Sequence, residues 1–278
     1  MVRPPTDVRG ILGEHGLRPS RALGQNFLSD PNTARRVARL AGVGAGDAVV
    51  EIGAGLGALT AELAATGATV TAVETDRYLV PVLRAAVEPL GVRVVHADAL
   101  TVPWEEVLAG ASRWVLVGNL PYNIAVPLVL RALDEAQGVS RLLVMVQREV
   151  AERLAAQPGT KAYGAVSVHV AYWATARLVG HVPATVFVPR PRVESSLVAL
   201  ERRPAPAVDP AAVAASRLFT VVRAGFGQRR KMLRSALAGV VAAQAFAAAG
   251  VADSARAEDL GIEAWGRLAA WHPPLPTT

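Results

Sequence analysis

Residues 48–57 read AVVEIGAGLG and carry the strongest fold signal in the chain. The apolar residues 48–50 are followed by Glu51 and Ile52, and then directly by a turn that contains three glycines. Because glycine adopts left-handed backbone and has no side chain, such a turn lets the backbone approach a bound ligand closely. The stretch therefore predicts a buried strand, a ligand-binding turn and the start of a helix.

The same alternation continues to about Gln147. Runs rich in valine, isoleucine and leucine predict strands at 48–52, 69–73, 93–95, 114–117 and 141–146, and amphipathic stretches predict helices at 58–65, 76–87 and 126–135. Strands that are apolar throughout and separated by helices indicate a parallel sheet covered on both faces. The predicted fold class is α/β and Rossmann-like, with further edge strands at 177–182 and 193–201.

The chain changes character at a proline-rich linker, residues 203–206. From there to Trp271 it is rich in alanine with helical spacing, and it offers no convincing strand. We therefore predict two domains, an α/β domain at 1–204 and a small all-α domain at 205–278.

Composition excludes several classes of protein. The 278 residues include no cysteine and five scattered histidines, so neither a disulfide framework nor a metal site is expected. The sequence has no apolar run of the ~18 residues that a membrane span needs, and its N-terminus shows no signal-peptide pattern. The absence of cysteine fits the cytoplasmic location that we expect. The net charge is +6, and segment 217–234 holds six cations and no acid, a clustering that favours a polyanionic partner.

Acidic residues at the ends of predicted strands indicate the kind of ligand. Glu51 precedes the glycine turn, where its carboxylate can face the ammonium and sulfonium groups of S-adenosylmethionine. Glu74 ends the second strand and can accept both ribose hydroxyls of an adenosine, and Asp98, after the third strand, can accept from an adenine amine. Alternatives stay open, because the glycine pattern and Glu74 also suit a dinucleotide and Asp98 could be a helix N-cap.

Residues 118–122 read GNLPY and follow the fourth predicted strand. The exocyclic amine of adenine is a weak nucleophile, because its lone pair is delocalised into the ring. The Asn119 side-chain oxygen and a neighbouring carbonyl, aimed by Pro121, can accept the two hydrogens of the amine, and Tyr122 can stack on an extruded base. Asparagine and proline are also common turn residues, so the preference for a methyl-transfer site rests on this stretch together with the strand ends.

Together these motifs resemble those of the bacterial small-subunit ribosomal RNA adenine N6,N6-dimethyltransferases. The resemblance spans about Gly24 to Arg234 and rests on QNFL at 25–28, EIGAGLG at 51–57, NLPYNI at 119–124, VQREVAERL at 146–154, YG at 163–164, FVPRPRVES at 187–195 and FGQRRK at 226–231. The chain departs from the usual family pattern at Glu194, Met232 and Ser235.

The resemblance implies a catalytic Rossmann-like domain, a helical domain that binds rRNA, and S-adenosyl-L-methionine as the methyl donor. It implies dimethylation of two adjacent adenosines in the 3′-terminal hairpin of 16S rRNA, within the pre-30S subunit, and we expect a monomer. The implied donor site is Asn26, Leu28, Gly53, Glu74, Asp98 and Asn119, to which the strand-end chemistry adds Glu51 and Gly55. The implied base site is Asn119, Leu120, Pro121 and Tyr122 with Phe187 as a stacking ring, and a core position for Phe187 is the alternative.

Two further segments are assigned a role beside these sites. Residues 25–28 lie just before the helix start at Asp30–Pro31. Beside the resemblance they are expected to fold over the donor as a lid, and the alternative, which the residues alone would favour, is an ordinary lead-in to the helix. The predicted RNA-binding residues, which cluster around Phe226, are Arg223, Arg229, Arg230, Lys231 and Arg234. Helical spacing would place Arg230 and Arg234 on one face, and the alternative is a solvated face of an arginine-rich protein.

Three other functions are weighed against this one. A large-subunit rRNA adenine methylase of the macrolide-resistance type shares QNFL and the Phe-x-Pro-x-Pro element, but Leu120, Tyr163–Gly164 and the run at 229–231 fit the small-subunit branch better. A non-catalytic ribosome-assembly protein would not be expected to keep the residues of both predicted sites. A nicotinamide-dependent enzyme would have no use for NLPY.

Overall fold

The computed structural model describes residues 7–252 and 254–271, and these form two compact units. The first unit comprises the described residues up to Ala151 and the segment Arg177–Arg202. The second comprises Glu152–Ala176 and the described residues from Arg203 onward. The outer ends of the predicted domains, 1–6 and 272–278, lie outside the described residues.

The regular elements alternate as predicted in the first half of the chain. The strands are β1 (Phe27–Leu28), β2 (Ala48–Ile52), β3 (Thr69–Glu74), β4 (Arg93–His96), β5 (Trp114–Asn119), β6 (Val139–Gln147), β7 (Ala174–Val182), β8 (Phe187–Val188) and β9 (Ser195–Arg202). The α-helices are α1 (Val8–Glu14), α2 (Pro31–Ala41), α3 (Ala58–Ala64), α4 (Val80–Val87), α5 (Trp104–Val107), α6 (Ala125–Glu135), α7 (Arg148–Leu154), α8 (Ala165–Trp173), α9 (Ala215–Gly227), α10 (Leu233–Ala236), α11 (Gln244–Ala249) and α12 (Ile262–Ala270).

Seven of the strands form one sheet in the order β4-β3-β2-β5-β6-β9-β7. Strands β2 to β6 pair in parallel, and β9 pairs antiparallel with β6. All five residues of β2 are buried, as expected for a strand that helices cover on both faces. The predicted Rossmann-like α/β fold is confirmed.

The strand order reverses between β2 and β5, because the chain moves outward from β2 to β4 and then returns to β5. At such a switch point a crevice opens beyond the carboxyl ends of the strands, where α/β proteins bind ligands. The register pairs Glu51 with Val117 and Glu74 with His96. The acidic strand ends and Asn119 therefore meet at one edge of the sheet.

A second, two-stranded sheet joins two segments that are far apart in sequence. Strand β1 pairs antiparallel with β8, with Phe27 opposite Val188 and Leu28 opposite Phe187. Phe27 and Leu28 are both buried. This pairing fixes the segment 25–28 beside the proline-rich segment that follows β8.

The second unit is helical and has its own apolar core, which contains Tyr163, Tyr172, Phe246 and Trp265. The tyrosines lie in Glu152–Ala176, a segment that the sequence placed in the first domain. Because their rings are buried among the helices, this segment belongs to the helical unit, and the predicted division at residue 204 differs from the compact units in this part. Among the described residues, no helix is long and apolar enough to cross a membrane.

Candidate active site

A pocket of about 900 Å³, its open mouth included, lies beyond the carboxyl ends of β2, β3, β4 and β5. It is lined by every predicted donor-site residue and by four of the five predicted base-site residues, namely Asn26, Leu28, Glu51, Gly53, Gly55, Glu74, Asp98, Asn119, Leu120, Pro121 and Tyr122. No group of His, Asp or Glu residues within the described ranges could hold a metal ion.

The glycine turn forms one wall of this pocket. Gly53 and Gly55 have φ angles of 75° and 57°, a region that other residues rarely adopt. A Cβ at Gly55 would lie 3.1 Å from the Phe27 ring, and a Cβ at Gly53 would lie 3.5 Å from the Asn119 carbonyl oxygen. The turn thus keeps open a cradle that side chains would fill, which suits the close approach of a ligand.

Glu74 is 5 % exposed and is held by the backbone. One carboxylate oxygen accepts from Gly55 N at 2.8 Å, and the other accepts from Asp76 N at 2.9 Å. Burial raises the pKa of Glu74, and these two hydrogen bonds oppose the rise. Each oxygen retains a lone pair, so the carboxylate can still accept the hydroxyls of a ribose.

Glu51 lines the pocket and is 1 % exposed. Its Oε2 is buried and has no hydrogen bond of regular geometry among the described residues. Burial raises the pKa of Glu51 to about 8, the nearby Thr60 hydroxyl opposes the rise, and the charge of Glu74 adds to it. A buried carboxyl oxygen without a regular hydrogen bond is suited to receive a cationic group, so Glu51 fits the ammonium of S-adenosylmethionine.

Asp98 is exposed in the turn that follows β4 and lines the pocket. Its Oδ1 accepts from Leu100 N at 2.9 Å, so the side chain also shapes its own turn, which leaves Oδ2 for a ligand. Arg131 fixes the same turn, since its guanidinium donates to the carbonyl oxygens of Ala99 at 2.6 Å and Val102 at 2.8 Å. The turn that carries Asp98 is therefore held from a second element, α6.

Asn119 ends β5 and reaches across the pocket to the N-terminal segment. Its Nδ2 donates to the Asn26 carbonyl oxygen at 2.9 Å. This bond commits the amide nitrogen and leaves Oδ1 as the acceptor for an incoming amine. The backbone of Leu120 is fixed by a 3.0 Å bond from its N–H to the Met145 carbonyl oxygen.

Tyr122 completes the base side of the pocket. Its hydroxyl lies 2.8 Å from the hydroxyl oxygen of Ser195, which is fully buried at the start of β9. Burial raises the pKa of Tyr122, and the Ser195 hydrogen bond opposes the rise. The ring is half-buried, and the tie to Ser195, which the sequence patterns did not indicate, fixes its orientation.

Phe187 does not line the pocket. It is 2 % exposed and belongs to the apolar core of the first unit together with Leu28, Val182 and Leu197. The reason is its pairing with Leu28 in the β1–β8 ladder, which directs both side chains inward. This position fits the alternative that the sequence left open, a core aromatic, and the stacking role of Phe187 stays a prediction.

The predicted RNA-binding cations do not share one helical face. Helix α9 ends at Gly227, Arg230 lies in the turn that follows, and Arg234 belongs to the short helix α10. The predicted helical spacing between Arg230 and Arg234 is wrong, because α9 ends in its glycine-rich last turn, before either arginine, and only Arg234 lies in the next helix. Arg229 is engaged within the unit, where its Nε lies 2.8 Å from a Glu258 carboxylate oxygen.

Sequence reasoning overlooked two arginines in the stretch between β8 and β9. Val188 pairs with Phe27 and Ser195 contacts Tyr122, so residues 189–194 connect two walls of the pocket. Arg190 and Arg192 lie in this stretch, and both are exposed. Their position in FVPRPRVES was the available signal, because Pro189 and Pro191 keep such a stretch extended.

Comparisons of the whole chain point to one group of proteins. A family profile described as ribosomal RNA adenine dimethylase matches residues 17–272. The ribosomal RNA small subunit methyltransferase A of Thermobifida fusca is 47 % identical over 97 % of this chain and 96 % of its own length. The protein of the same name from Streptomyces coelicolor is 45 % identical over 95 % of each chain.

Two solved structures are similar over most of the chain. The 23S rRNA methyltransferase ErmE superposes with a TM-score of 0.68 at 29 % identity, over 88 % of this chain and 98 % of its own. A dimethyladenosine transferase from Plasmodium falciparum superposes with a TM-score of 0.72 at 20 % identity, over 87 % of this chain and 95 % of its own. The second likeness concerns the fold alone.

Proposed function

The chain belongs to the ribosomal RNA adenine dimethylase family, and we propose that it dimethylates two adjacent adenosines in the 3′-terminal hairpin of 16S rRNA. Family membership makes it an S-adenosyl-L-methionine-dependent methyltransferase of ribosomal RNA adenine. The observation that carries the choice of RNA is the 47 % identity, over 97 % of this chain, to a protein named for the small subunit.

The donor would be held by the pocket residues that the sequence indicated. When bound, S-adenosylmethionine supplies a methyl group on a sulfonium, which makes that methyl electrophilic. Glu74 would accept from the ribose hydroxyls, Asp98 from the adenine amine, and the buried Glu51 oxygen from the ammonium. The Gly53–Gly55 cradle, with Asn26 and Leu28 on the opposite side, would bring the donor methyl to Asn119.

On the base side, Asn119 Oδ1 and the carbonyl before Pro121, that of Leu120, would accept the two hydrogens of the adenine amine. This directs the nitrogen lone pair toward the methyl group, and the acceptors become most favourable as the amine turns tetrahedral. Burial raises the pKa of the Tyr122 phenol, so the ring stays neutral at physiological pH and serves as a stacking face, not as a base. The methylated amine is acidic and can release its proton to water.

The role of each domain follows as part of the same proposal. Residues 1–204 would carry catalysis and residues 205–278 would bind rRNA through the cations at the end of α9 and beyond it, Arg223, Arg230 and Lys231. The partner would be 16S rRNA in the pre-30S subunit, and the enzyme would act as a monomer in the cytoplasm.

A second candidate function is methylation of large-subunit rRNA. The observation that favours it is the 29 % identity and TM-score of 0.68 to the 23S rRNA methyltransferase ErmE. The higher identity of the small-subunit relatives, 47 % and 45 %, weighs for the first candidate.

The test is mass spectrometry of rRNA from cells that lack this protein, alone and complemented with the wild-type gene or with Asn119→Ala. We expect the dimethylated adenosines of 16S rRNA to disappear and to return only with the wild-type gene. Loss of a modification in 23S rRNA, with 16S rRNA unchanged, would instead establish the second candidate.

A further inference from the structure

We propose that Gln25 is a positioning residue that clasps the segment Ser20–Asn26, here called the strap, across the donor pocket and thereby sets the orientation of Asn119. The proposal deepens the function above and rests on the role proposed there for Asn119. The donor and base contacts proposed above assign no task to the Gln25 side chain, although this residue lines the pocket.

Both ends of the Gln25 amide are committed. Its Oε1 accepts from Ser20 N at 2.7 Å, and its Nε2 donates to Asp76 Oδ2 at 2.8 Å. The other Asp76 oxygen, Oδ1, accepts from Tyr78 N at 2.9 Å. Backbone N–H groups therefore occupy Gln25 Oε1 and Asp76 Oδ1. The hydrogen bond between the two side chains can then run in one direction only, from the Gln25 amide nitrogen to the Asp76 carboxylate.

The strap is anchored at two points on opposite sides of β2. Gln25 is tied to Asp76, just after β3, and the next residue, Asn26, accepts from Asn119 at the end of β5 through its carbonyl oxygen. Since Gln25 and Asn26 are consecutive, release of the first anchor moves the carbonyl that holds the Asn119 amide.

The same chain of bonds reaches the ribose end of the pocket. Asp76 N donates to the Glu74 carboxylate that would accept the donor's ribose. The connected groups are therefore Glu74, Asp76, Gln25, Asn26 and Asn119, which join the donor side to the base side. A positioning role for Gln25 follows, because its side chain bonds to Ser20 and Asp76 and is linked to the proposed donor and base contacts only through its neighbours in this chain of bonds.

The strap also packs closely on the NLPY loop, which makes its position definite. Gly24 has a φ of 63°, and a Cβ there would lie 2.7 Å from Asn123 Oδ1 and 3.2 Å from Pro121 Cβ. A displaced strap would lose this fit. The bond from Gln25 to Asp76 is the side-chain tie that holds the strap to the β3 side.

The test relies on the direction of the hydrogen bond between Gln25, the donor, and Asp76, the acceptor. Gln25→Glu places two carboxylates face to face, and Asp76→Asn places two amide nitrogens face to face, so each single variant breaks the clasp. The double variant Gln25→Glu with Asp76→Asn restores it with donor and acceptor exchanged. In that variant the amide oxygen at position 76 can still accept from Tyr78 N, and the carboxylate at position 25 can still accept from Ser20 N.

Three measurements are made on the full chain: affinity for S-adenosylhomocysteine, kcat for methyl transfer to the RNA substrate, and tryptic cleavage after the exposed Arg21. Arg21 is a suitable reporter because it lies in the strap, whereas cleavage after Arg18 is blocked by Pro19. We expect each single variant to lose about tenfold in affinity and in kcat, since a charge-assisted bond is lost. S-adenosylhomocysteine should protect Arg21 in the wild type but not in the single variants, and the double variant should recover all three readouts.

Gln137→Ala is the matched control, because this exposed amide makes only a 3.1 Å bond to the Asp134 carbonyl oxygen. It should leave all three readouts unchanged. A double variant no better than the two single effects combined, or single variants that keep wild-type protection of Arg21, would overturn the proposal. Affinity and cleavage need no RNA, so a wrong RNA target for the enzyme would leave this test intact.

Discussion

The donor pocket and the cationic segment 217–234 were both indicated by the sequence, but only the pocket residues come together as indicated. Strand ends meet because the parallel sheet forces them to, whatever the details of each turn. The predicted arrangement of the cations required one helix to continue past Gly225 and Gly227, but α9 ends at Gly227. Long-range topology was thus a safer guide to a site than local helical spacing.

The variant with the largest expected effect on this comparison removes the side chain of Asn119, which is proposed to contact both the donor and the base. Asn119→Ala should lower turnover by about 10²–10³-fold, the range for loss of one preorganised hydrogen-bonding group at a reacting centre. Affinity for S-adenosylmethionine should fall only slightly, because the lost contact is strongest in the transition state. Single-turnover kinetics together with calorimetry separate these two effects.

Gln137→Ala serves as the control for that variant as well. Gln137 is exposed, does not line the pocket, and donates from its amide to the Asp134 carbonyl oxygen at 3.1 Å. It should retain near wild-type turnover. Near-normal turnover in Asn119→Ala would remove this residue from the proposed chemistry.

At the opposite end of the pocket, Glu74→Ala should weaken S-adenosylmethionine binding by about 1.5–3 kcal/mol, the range for charge-assisted hydrogen bonds. Glu74→Gln should lose less, because one oxygen still accepts from the backbone. RNA binding should stay unchanged in both variants. Unaltered donor affinity by calorimetry would make Glu74 a purely structural acid that braces Gly55 and Asp76.

The sequence predicted most of the residues that line the pocket but few of the hydrogen bonds and strand pairings that hold them in place. The strand ends Glu51, Glu74 and Asn119 follow from the alternation of strands and helices. The tie from Tyr122 to Ser195 spans residues whose proximity depends on β9 returning beside β6, and no local pattern announces such a pairing. The sequence left the position of Phe187 open for the same kind of reason, since its inward direction depends on pairing with β1.

The packing of the helical unit can be tested at Gly225, where the core leaves no room for a larger side chain. A Cβ on Gly225 would lie 2.6 Å from Trp265 Cη2, so Gly225→Ala should destabilise the protein by about 1–3 kcal/mol through overpacking. Gly227→Ala is matched to it, because nothing lies within 4 Å of a Cβ there. It should be neutral or stabilise α9 by about 0.5–1 kcal/mol. Urea unfolding of both variants measures the difference, and equal effects would contradict the close packing of α9 on α12.

Glu51 gives the pocket a pH dependence that the cationic segment should lack. Burial raises the pKa of Glu51 from 4.5 to about 8, so the folded protein keeps a proton that the unfolded chain loses. Stability of the donor-free protein should therefore fall as the pH rises from 4.5 to 8, and Glu51→Gln should remove that part of the fall. Binding of the cationic donor at pH 7 should release a proton, which calorimetry in buffers of different ionisation enthalpy detects. Equal pH profiles for wild type and Glu51→Gln would contradict this.

The smallest expected effect separates the cations of segment 217–234 from one another. Arg230→Gln and Lys231→Gln remove charges from the turn after α9, and each should flatten the salt dependence of binding to pre-30S particles by about 0.7–0.9 units of slope. Arg229→Gln should change that slope little and lower stability instead, because Arg229 is engaged with Glu258 and with the Lys161 carbonyl oxygen. A salt series for the three variants measures the slopes, and urea unfolding measures the stabilities. If Arg229→Gln alone flattened the slope, the paired arginine would be the RNA contact and the other two cations would belong to a solvated surface.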